Sequence, residues 1–301
     1  MGRSIWQVPA PGGTCHPAAA RVSLFVRSAV MPELPEVETT RRGIEPQVLG
    51  VRVAEVIVRR RDLRQPVSKS ISAIEGRRVT SVRRRAKYLL LEIDDGSTLL
   101  IHLGMSGSLQ VAVAARPWRL HDHLGITLAN NKQLRFHDPR RFGLVLRLTG
   151  NPLAHPLLAN LGPEPLDGDF TPAHLAAACA GRSAAIKHVI MDSKVVVGVG
   201  NIYASEALFR AGIRPLTRAG RVTKPRLTKL VAAIRAVLIE AIAEGGTTLR
   251  DFSQADGTPG YFKQRLCVYQ RKGEPCRVCG TAIRHAVTGQ RATFWCPQCQ
   301  R

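Results

Sequence analysis

The apolar positions of this chain fall into three successive regimes. Behind Pro35, Val37, Ile44 and Val48 recur at helical spacing, which predicts a helix from Pro35 to about Leu49 with one face buried. Pro35 suits the first helical position, and Glu36 and Glu38 in the first turn compensate the positive end of the helix dipole. After Gly50 the period falls to two. Strands are predicted over Val51–Val58, Val79–Val82, Tyr88–Ile93, Thr98–Leu103, Leu124–Leu128, Gln133–Phe136 and Leu144–Leu148, with Asp94-Asp95-Gly96 and Asn130-Asn131 as tight turns. No helical pattern alternates with them, so they belong to an antiparallel two-layer β structure.

The third regime follows a cluster of Pro156, Gly162, Pro163, Pro165 and Gly168, which marks a domain boundary and a hinge. Helices are expected from Thr171-Pro172 to about Ala180, from Ser183 through Met191, from near Ile202, and from about Arg226 to Glu244, the last carrying Leu227, Leu230, Val231, Ile234, Leu238 and Ile242. Lys194 to Asn201 is a glycine-bearing turn into a helix start, where backbone N–H groups and Asn201 form a cradle for a phosphate. It is not a dinucleotide fold, because the third glycine and the following strand are missing. Gly245 to Phe262 is a long polar segment, read as a loop that caps the substrate.

Charge narrows the partner. Lys plus Arg outnumber Asp plus Glu by 44 to 22, a formal charge of +22, which points to a polyanion. At 5% aromatic residues, serial stacking on single strands is disfavoured against contact with duplex phosphates. Arg83-Arg84-Arg85-Ala86-Lys87, at a strand entrance, is read as such a contact, with a charged sheet edge as the alternative. No stretch reaches the ~20 apolar residues of a membrane span.

Chemistry concentrates at the two ends. Cys276-x2-Cys279 and Cys296-x2-Cys299 have the spacing of a tetrahedral zinc ribbon. Iron is the alternative ion, and four ligands leave no open position, so the metal is structural. Arg291, in the hairpin between the pairs, is the residue best placed to reach DNA. At the other end stands Met31-Pro32-Glu33, where a start codon is expected. With Met31 removed, Pro32 is a free secondary amine able to attack a sugar carbon. Residues 1–30 contain three Arg and no acid, and are read as an upstream start or an organelle transit peptide outside any fold. Two glycine-flanked tips, His102-Leu103-Gly104-Met105-Ser106-Gly107 and His137-Asp138-Pro139-Arg140-Arg141-Phe142-Gly143, offer Met105 and Phe142 as wedges into a base stack. His121 and His123 lack a third ligand at metal spacing.

PELPEVE, RRAKYLLLE, HLGMSG, DPRRFG, VVGVGNIYASE, GGTTLRDF, GYF and QRATFWCPQC occur in that order from Met31 to the C-terminus. In these motifs the chain resembles the formamidopyrimidine-DNA glycosylase family, bacterial enzymes that excise oxidised purines. The resemblance implies an α+β protein: a leader over residues 1–31, a catalytic antiparallel β-sandwich with flanking helices over 32–155, a helix-two-turn-helix domain with the lesion-capping loop over 156–265, and a zinc-finger β-hairpin over 266–301. It implies Pro32 as nucleophile, Glu33 as general acid/base, Lys87 as phosphate contact and proton donor in β-elimination, and Arg291 in the second, δ, elimination. Met105, Arg140 and Phe142 would fill the void left by a flipped base, with Arg140 facing the orphaned cytosine. His121, Arg182 and Asn201 would contact DNA. One structural zinc on Cys276, Cys279, Cys296 and Cys299, damaged double-stranded DNA as partner, a monomer without obligate protein partner, and a bacterial cytoplasmic location at the nucleoid complete the implication. Two rivals remain: an endonuclease VIII-like glycosylase for oxidised pyrimidines, and a non-catalytic zinc-ribbon DNA-binding protein in which a retained leader blocks Pro32.

Overall fold

The computed structural model describes residues 31–246 and 265–301. Residues 1–30 of the leader and residues 247–262 of the expected capping loop lie outside the described residues. Helix α1 (Leu34–Val48) opens the described chain and seals one end of two packed four-stranded sheets. The strands are β1 (Val53–Val58), β2 (Val79–Arg85), β3 (Tyr88–Ile93), β4 (Thr98–His102), β5 (Ser108–Val113), β6 (Asp122–Leu128), β7 (Lys132–His137) and β8 (Leu144–Leu148). One sheet has the order β1-β6-β7-β5, the other β2-β3-β4-β8, and every pairing is antiparallel. Val37, Ile44 and Val48 of α1 join Val53, Leu91, Ile101, Leu124, Phe136 and Val145 in the core between the layers. The expected sandwich is present, with β5 as a strand not among those expected.

Helix α2 (Pro156–Ala159) places Leu158 on the outer face of the second sheet, against Leu90, Leu100, Leu144 and Leu146. The helical domain follows: α3 (Pro172–Cys179), α4 (Ile186–Met191), α5 (Asn201–Arg210) and α6 (Lys224–Ala243). Helix α4 starts later than expected because residues 182–185 pair instead with 218–220. Ala219 and Gly220 donate to the carbonyls of Ala184 and Arg182, at 2.8 and 3.0 Å.

Strands β9 (Arg284–Thr288) and β10 (Arg291–Trp295) form the C-terminal hairpin. Its apolar residues do not make a core of their own. Ile283, Phe294, Cys276 and Cys296 pack into the same cluster as Ile190, Ile202, Leu208 and Leu230 of the helical domain. The zinc module is thus a lobe of the helical core, while the β-sandwich core is separate.

The boundary segment is not the free hinge its glycines and prolines suggest. Glu164 accepts from Arg84 at 2.6 Å, from Arg85 at 3.1 Å and from the Ala86 N–H at 2.6 Å, tying the linker to the β2–β3 turn. Arg85 adds a 3.0 Å bond to the Leu161 carbonyl. These pairings overturn the reading of Arg84 and Arg85 as phosphate contacts. Arg84 also bonds Glu38, and Arg83 pairs with Glu92, so each of the three arginines has a carboxylate partner within the fold. Glu38, expected to compensate the helix dipole, instead joins Arg41, Arg42 and Arg84.

Candidate active site

The first residues of α1 lie against the first turn of α5. Leu34 donates its N–H to the Gly198 carbonyl at 3.1 Å, so a β-type bond fixes the chain beside the glycine turn. Glu33, only 2% exposed, reaches over the helix start. Its carboxylate accepts N–H bonds from Gly200 at 2.8 Å, Ile202 at 2.9 Å and Tyr203 at 3.4 Å. The cradle expected to hold a phosphate therefore holds this carboxylate. The chemistry is the same, free N–H groups and the positive end of a helix meeting an anion, but the anion is internal.

Two glycines make the approach possible. Gly198 has φ +79°, and a side chain there would strike Leu34 Cβ at 2.6 Å. A methyl group on Gly200 would overlap the Glu33 carboxyl group. Glu36, expected only to compensate the helix dipole, completes the lock: it accepts from the Glu33 N–H at 2.8 Å and from the Tyr203 hydroxyl at 2.6 Å. Asn201 is half-buried, and its Oδ1, itself buried, has no hydrogen-bond partner among the described residues.

Burial pushes the Glu33 carboxyl up to about 7, against the downward pull of Lys87 and of the Ile202 and Tyr203 N–H groups, with Glu36 adding to the rise. Burial and Glu36 together outweigh those attractions by roughly 3 kcal/mol. A carboxyl group that titrates near neutrality can give and take a proton in one catalytic cycle. Lys87 is displaced the opposite way. Burial lowers its ammonium, while Glu33 and Glu36 hold it up and Arg291 lowers it further. It occupies the two-residue turn between β2 and β3 behind Ala86, whose φ of +54° is costly for a residue with a Cβ and is held by Glu164.

Arg291 opens β10 directly after the Gly289–Gln290 turn, whose φ values are +52° and +58°. It is exposed, yet its charge lowers Lys87, Lys187 and Tyr269 alike, which places it near all three. Pro32, Glu33, Lys87, Arg291 and Asn201, far apart along the chain, therefore converge.

The two tips also meet. Gly104 lies so close to the Phe142–Gly143 backbone that an added side chain would come within 2.8 Å of the Phe142 carbonyl oxygen. Asp138 is fully buried and pins both loops, accepting from the Ser106 hydroxyl at 2.8 Å and the Gly143 N–H at 2.8 Å. Phe142 remains 43% exposed with the Arg140 guanidinium 5.0 Å above its ring, and Met105 is half-buried nearby. His121 packs among His123 and His137, with ring centroids at 6.2 and 5.9 Å. Arg182 is exposed, with its guanidinium 3.8 Å from the Asp192 carboxylate.

Three further residues of the site escape a reading of the sequence. Lys187, fully buried on α4, donates to the Ala292 carbonyl at 3.1 Å and to the Thr293 hydroxyl at 2.9 Å. Burial brings its ammonium down to about 7, with Glu33 opposing and Arg291 adding to the shift. Tyr269, 2% exposed, is pushed up to about 12 by burial and by Glu33, against a hydrogen bond from Asn201. His102 is held neutral: burial, Lys87 and Arg64 take it to about 3, and its Nδ1 accepts the Gly104 N–H at 2.9 Å. Lys187 has one signal, a lone cation inside the apolar run Ile186 to Ile190.

The four cysteines converge as their spacing requires. Their sulfurs all lie within 4.8 Å of one another, with Cys276–Cys299 at 3.9 Å and Cys279–Cys296 at 3.4 Å. Sulfurs bound tetrahedrally to one zinc at about 2.3 Å stand roughly 3.8 Å apart, so the set fits a structural zinc ion.

Comparison with known proteins agrees. Residues 31–145 match the family described as Formamidopyrimidine-DNA glycosylase N-terminal domain, residues 161–253 its H2TH domain, and residues 273–301 the zinc finger found in FPG and IleRS. The chain is 57% identical over 272 residues to the formamidopyrimidine-DNA glycosylase of Methylococcus capsulatus, covering 90% of this chain and 100% of that one. The chain belongs to the formamidopyrimidine-DNA glycosylase family. Among solved structures it is similar to the MutM (Fpg) protein of Thermus thermophilus, with a TM-score of 0.81, 40% identity, and coverage of 89% of this chain and 98% of that one. The Lactococcus lactis Fpg in complex with abasic-site DNA gives a TM-score of 0.83 at 31% identity, over 89% of this chain and 99% of that one.

Glu33→Gln tests the reading of Glu33 as general acid/base and is expected to slow single-turnover base excision by roughly 10²–10⁴-fold. As a general acid it must hold its proton, so wild-type excision should decline as pH rises through about 7. Stability follows the same sign. The folded-state value lies above the ordinary 4.5, so the stabilisation is complete below 4.5 and lost as pH rises through about 7. The Gln variant, neutral throughout, should lack that decline in a melting series against pH. A decline identical to wild type would refute the assignment.

Proposed function

We propose that this chain is a bifunctional DNA glycosylase and abasic-site lyase of base excision repair, acting on oxidised purines in duplex DNA through Pro32. The observation that carries the reading is Glu33, next to Pro32, locked on the start of α5 with a carboxyl that titrates near 7. A duplex base must leave the stack to be reached, at a cost of a few kcal/mol. Met105, Arg140 and Phe142, held together through Asp138, would fill the gap.

The Pro32 nitrogen then attacks C1′ and the base departs. Glu33 protonates the ring oxygen as the sugar opens, leaving an iminium at C1′. Because the amine is secondary, this iminium has no N–H to lose and stays cationic. It drains the electrons released when the C2′ proton is removed, and the C3′–O bond breaks with the 3′ phosphate as leaving group. Lys87 would pair with the phosphate and supply the proton. Arg291 would steady the second departing phosphate, with His121, Arg182 and Asn201 on the backbone. Zinc, held by the four cysteines, supplies no chemistry and fixes the hairpin. Lys187 and Tyr269, shifted by Glu33, and His102, shifted by Lys87, would border the reacting centre.

A monomer working in the bacterial cytoplasm on nucleoid DNA is part of the same proposal, and no described helix is long and apolar enough to cross a membrane. Excision of 8-oxoguanine opposite cytosine should outpace excision of thymine glycol under single-turnover conditions. Faster removal of thymine glycol would transfer the chain to the endonuclease VIII-like reading.

A further inference from the structure

We propose that His188 is a positioning residue for Arg291, an inference that rests on the reading of Arg291 as the group facing the second departing phosphate. The guanidinium of Arg291 has no hydrogen bond to any described residue, and its side chain is exposed. Its place is therefore set by the backbone of the hairpin tip. Two adjacent residues of α4 grip that tip from either side. Lys187 holds the strand just after Arg291, through the Ala292 carbonyl and the Thr293 hydroxyl. His188 holds the strand just before it: Nε2 lies 3.3 Å from the Thr288 hydroxyl, and the imidazole sits directly on Gly289, where an added Cβ would meet Nε2 at 2.9 Å and Cε1 at 3.0 Å.

Helix α4 is a firm base for this grip. Ile186 donates to the Thr217 carbonyl at 2.8 Å, and Val189 and Ile190 are buried in the helical core. The cysteine cluster fixes the other end of the hairpin, beyond Trp295. Lys187 secures strand β10, and His188 contacts the turn itself. In the second elimination the C4′ proton is removed, a C4′–C5′ double bond forms, and the C5′–O bond breaks with its electron pair leaving on the 5′ phosphate. A cation helps that step only if it stands at the phosphate as the bond breaks, and small displacements of such a group cost rate steeply. The first elimination needs no contribution from Arg291.

The test is product partition on abasic-site duplex DNA, with borohydride trapping and zinc content measured beside it. In His188→Ala, trapping and zinc should stay within about twofold of wild type, while the ratio of δ-product to β-product falls roughly tenfold. His188→Gln, whose amide reaches the Thr288 hydroxyl, should recover most of that ratio. An unchanged ratio in His188→Ala, with a lowered one in Arg291→Ala, would overturn the role of His188 alone. An unchanged ratio in Arg291→Ala would overturn the reading of Arg291 and the inference with it. Parallel loss of trapping and zinc in both His188 variants would also overturn it, by showing a folding role instead.

Discussion

A chain beginning at Pro32 is expected to give a borohydride-trapped adduct with lesion-containing duplex, and the same chain with Met31 retained is expected to give none. The argument is electronic first. A free α-amine near pKa 8 is unprotonated in roughly a fifth of molecules at pH 7.4, against about one in a thousand for a lysine. In a peptide bond the same nitrogen has its lone pair delocalised into the carbonyl and is no nucleophile. Geometry then removes any alternative. Pro32 is buried, the Glu33 N–H is held by Glu36 at 2.8 Å, and the Leu34 N–H is held by the Gly198 carbonyl at 3.1 Å, so the segment cannot retreat to offer another group. The effect is all-or-none. Intact mass identifies the first residue of the natural protein, and trapping by a Met31-bearing chain would end the case for Pro32.

How much of this was legible in the sequence depends on which faces are wet. Strands β3 and β8 match their expected bounds, since their residues are apolar runs between clear turns. Strand β5 is not among those expected, although Ser108-Leu109-Gln110-Val111 alternates polar and apolar residues; Ser108 and Gln110 are buried like Leu109, so its polar positions do not mark a wet face. Asn131 and Gly96 do adopt positive φ at the turns read from Asn130-Asn131 and Asp94-Asp95-Gly96.

The site divides in the same way. The four cysteines and the two tips are local motifs, visible without partners. Glu33, Arg84 and Arg85 are not, because what each does is decided by a group far along the chain. The helix start at Gly200 reads as a phosphate cradle until Glu33, 167 residues earlier, is found in it. Arg84 and Arg85 read as phosphate contacts until Glu164 is found between them. Lys187 escapes notice because a lone lysine is usually a surface residue, and its partner Thr293 is 106 residues away.

Replacing Cys296 by Ser is expected to abolish lesion-DNA binding while the β-sandwich stays folded. Structural zinc sites of this kind supply roughly 10–16 kcal/mol of binding energy that appears as folding energy. A serine hydroxyl is a poor substitute for a thiolate on zinc. Cys296 is also fully buried, and its N–H donates to Gln300 Oε1 at 2.9 Å, while Gln300 Nε2 bonds the Ile213 carbonyl at 2.9 Å. Loss of the ion therefore loosens the hairpin from the helical core as well as from itself. Lys187 then keeps a buried ammonium without the Ala292 and Thr293 oxygens, a situation that favours opening of the cleft. None of this reaches the β-sandwich, whose core shares no buried apolar residue with the helical one. Zinc content should fall, one melting transition should survive at its wild-type temperature, and affinity for lesion duplex should be lost. Wild-type affinity in the zinc-depleted variant would show that the hairpin holds its DNA-facing geometry without the metal.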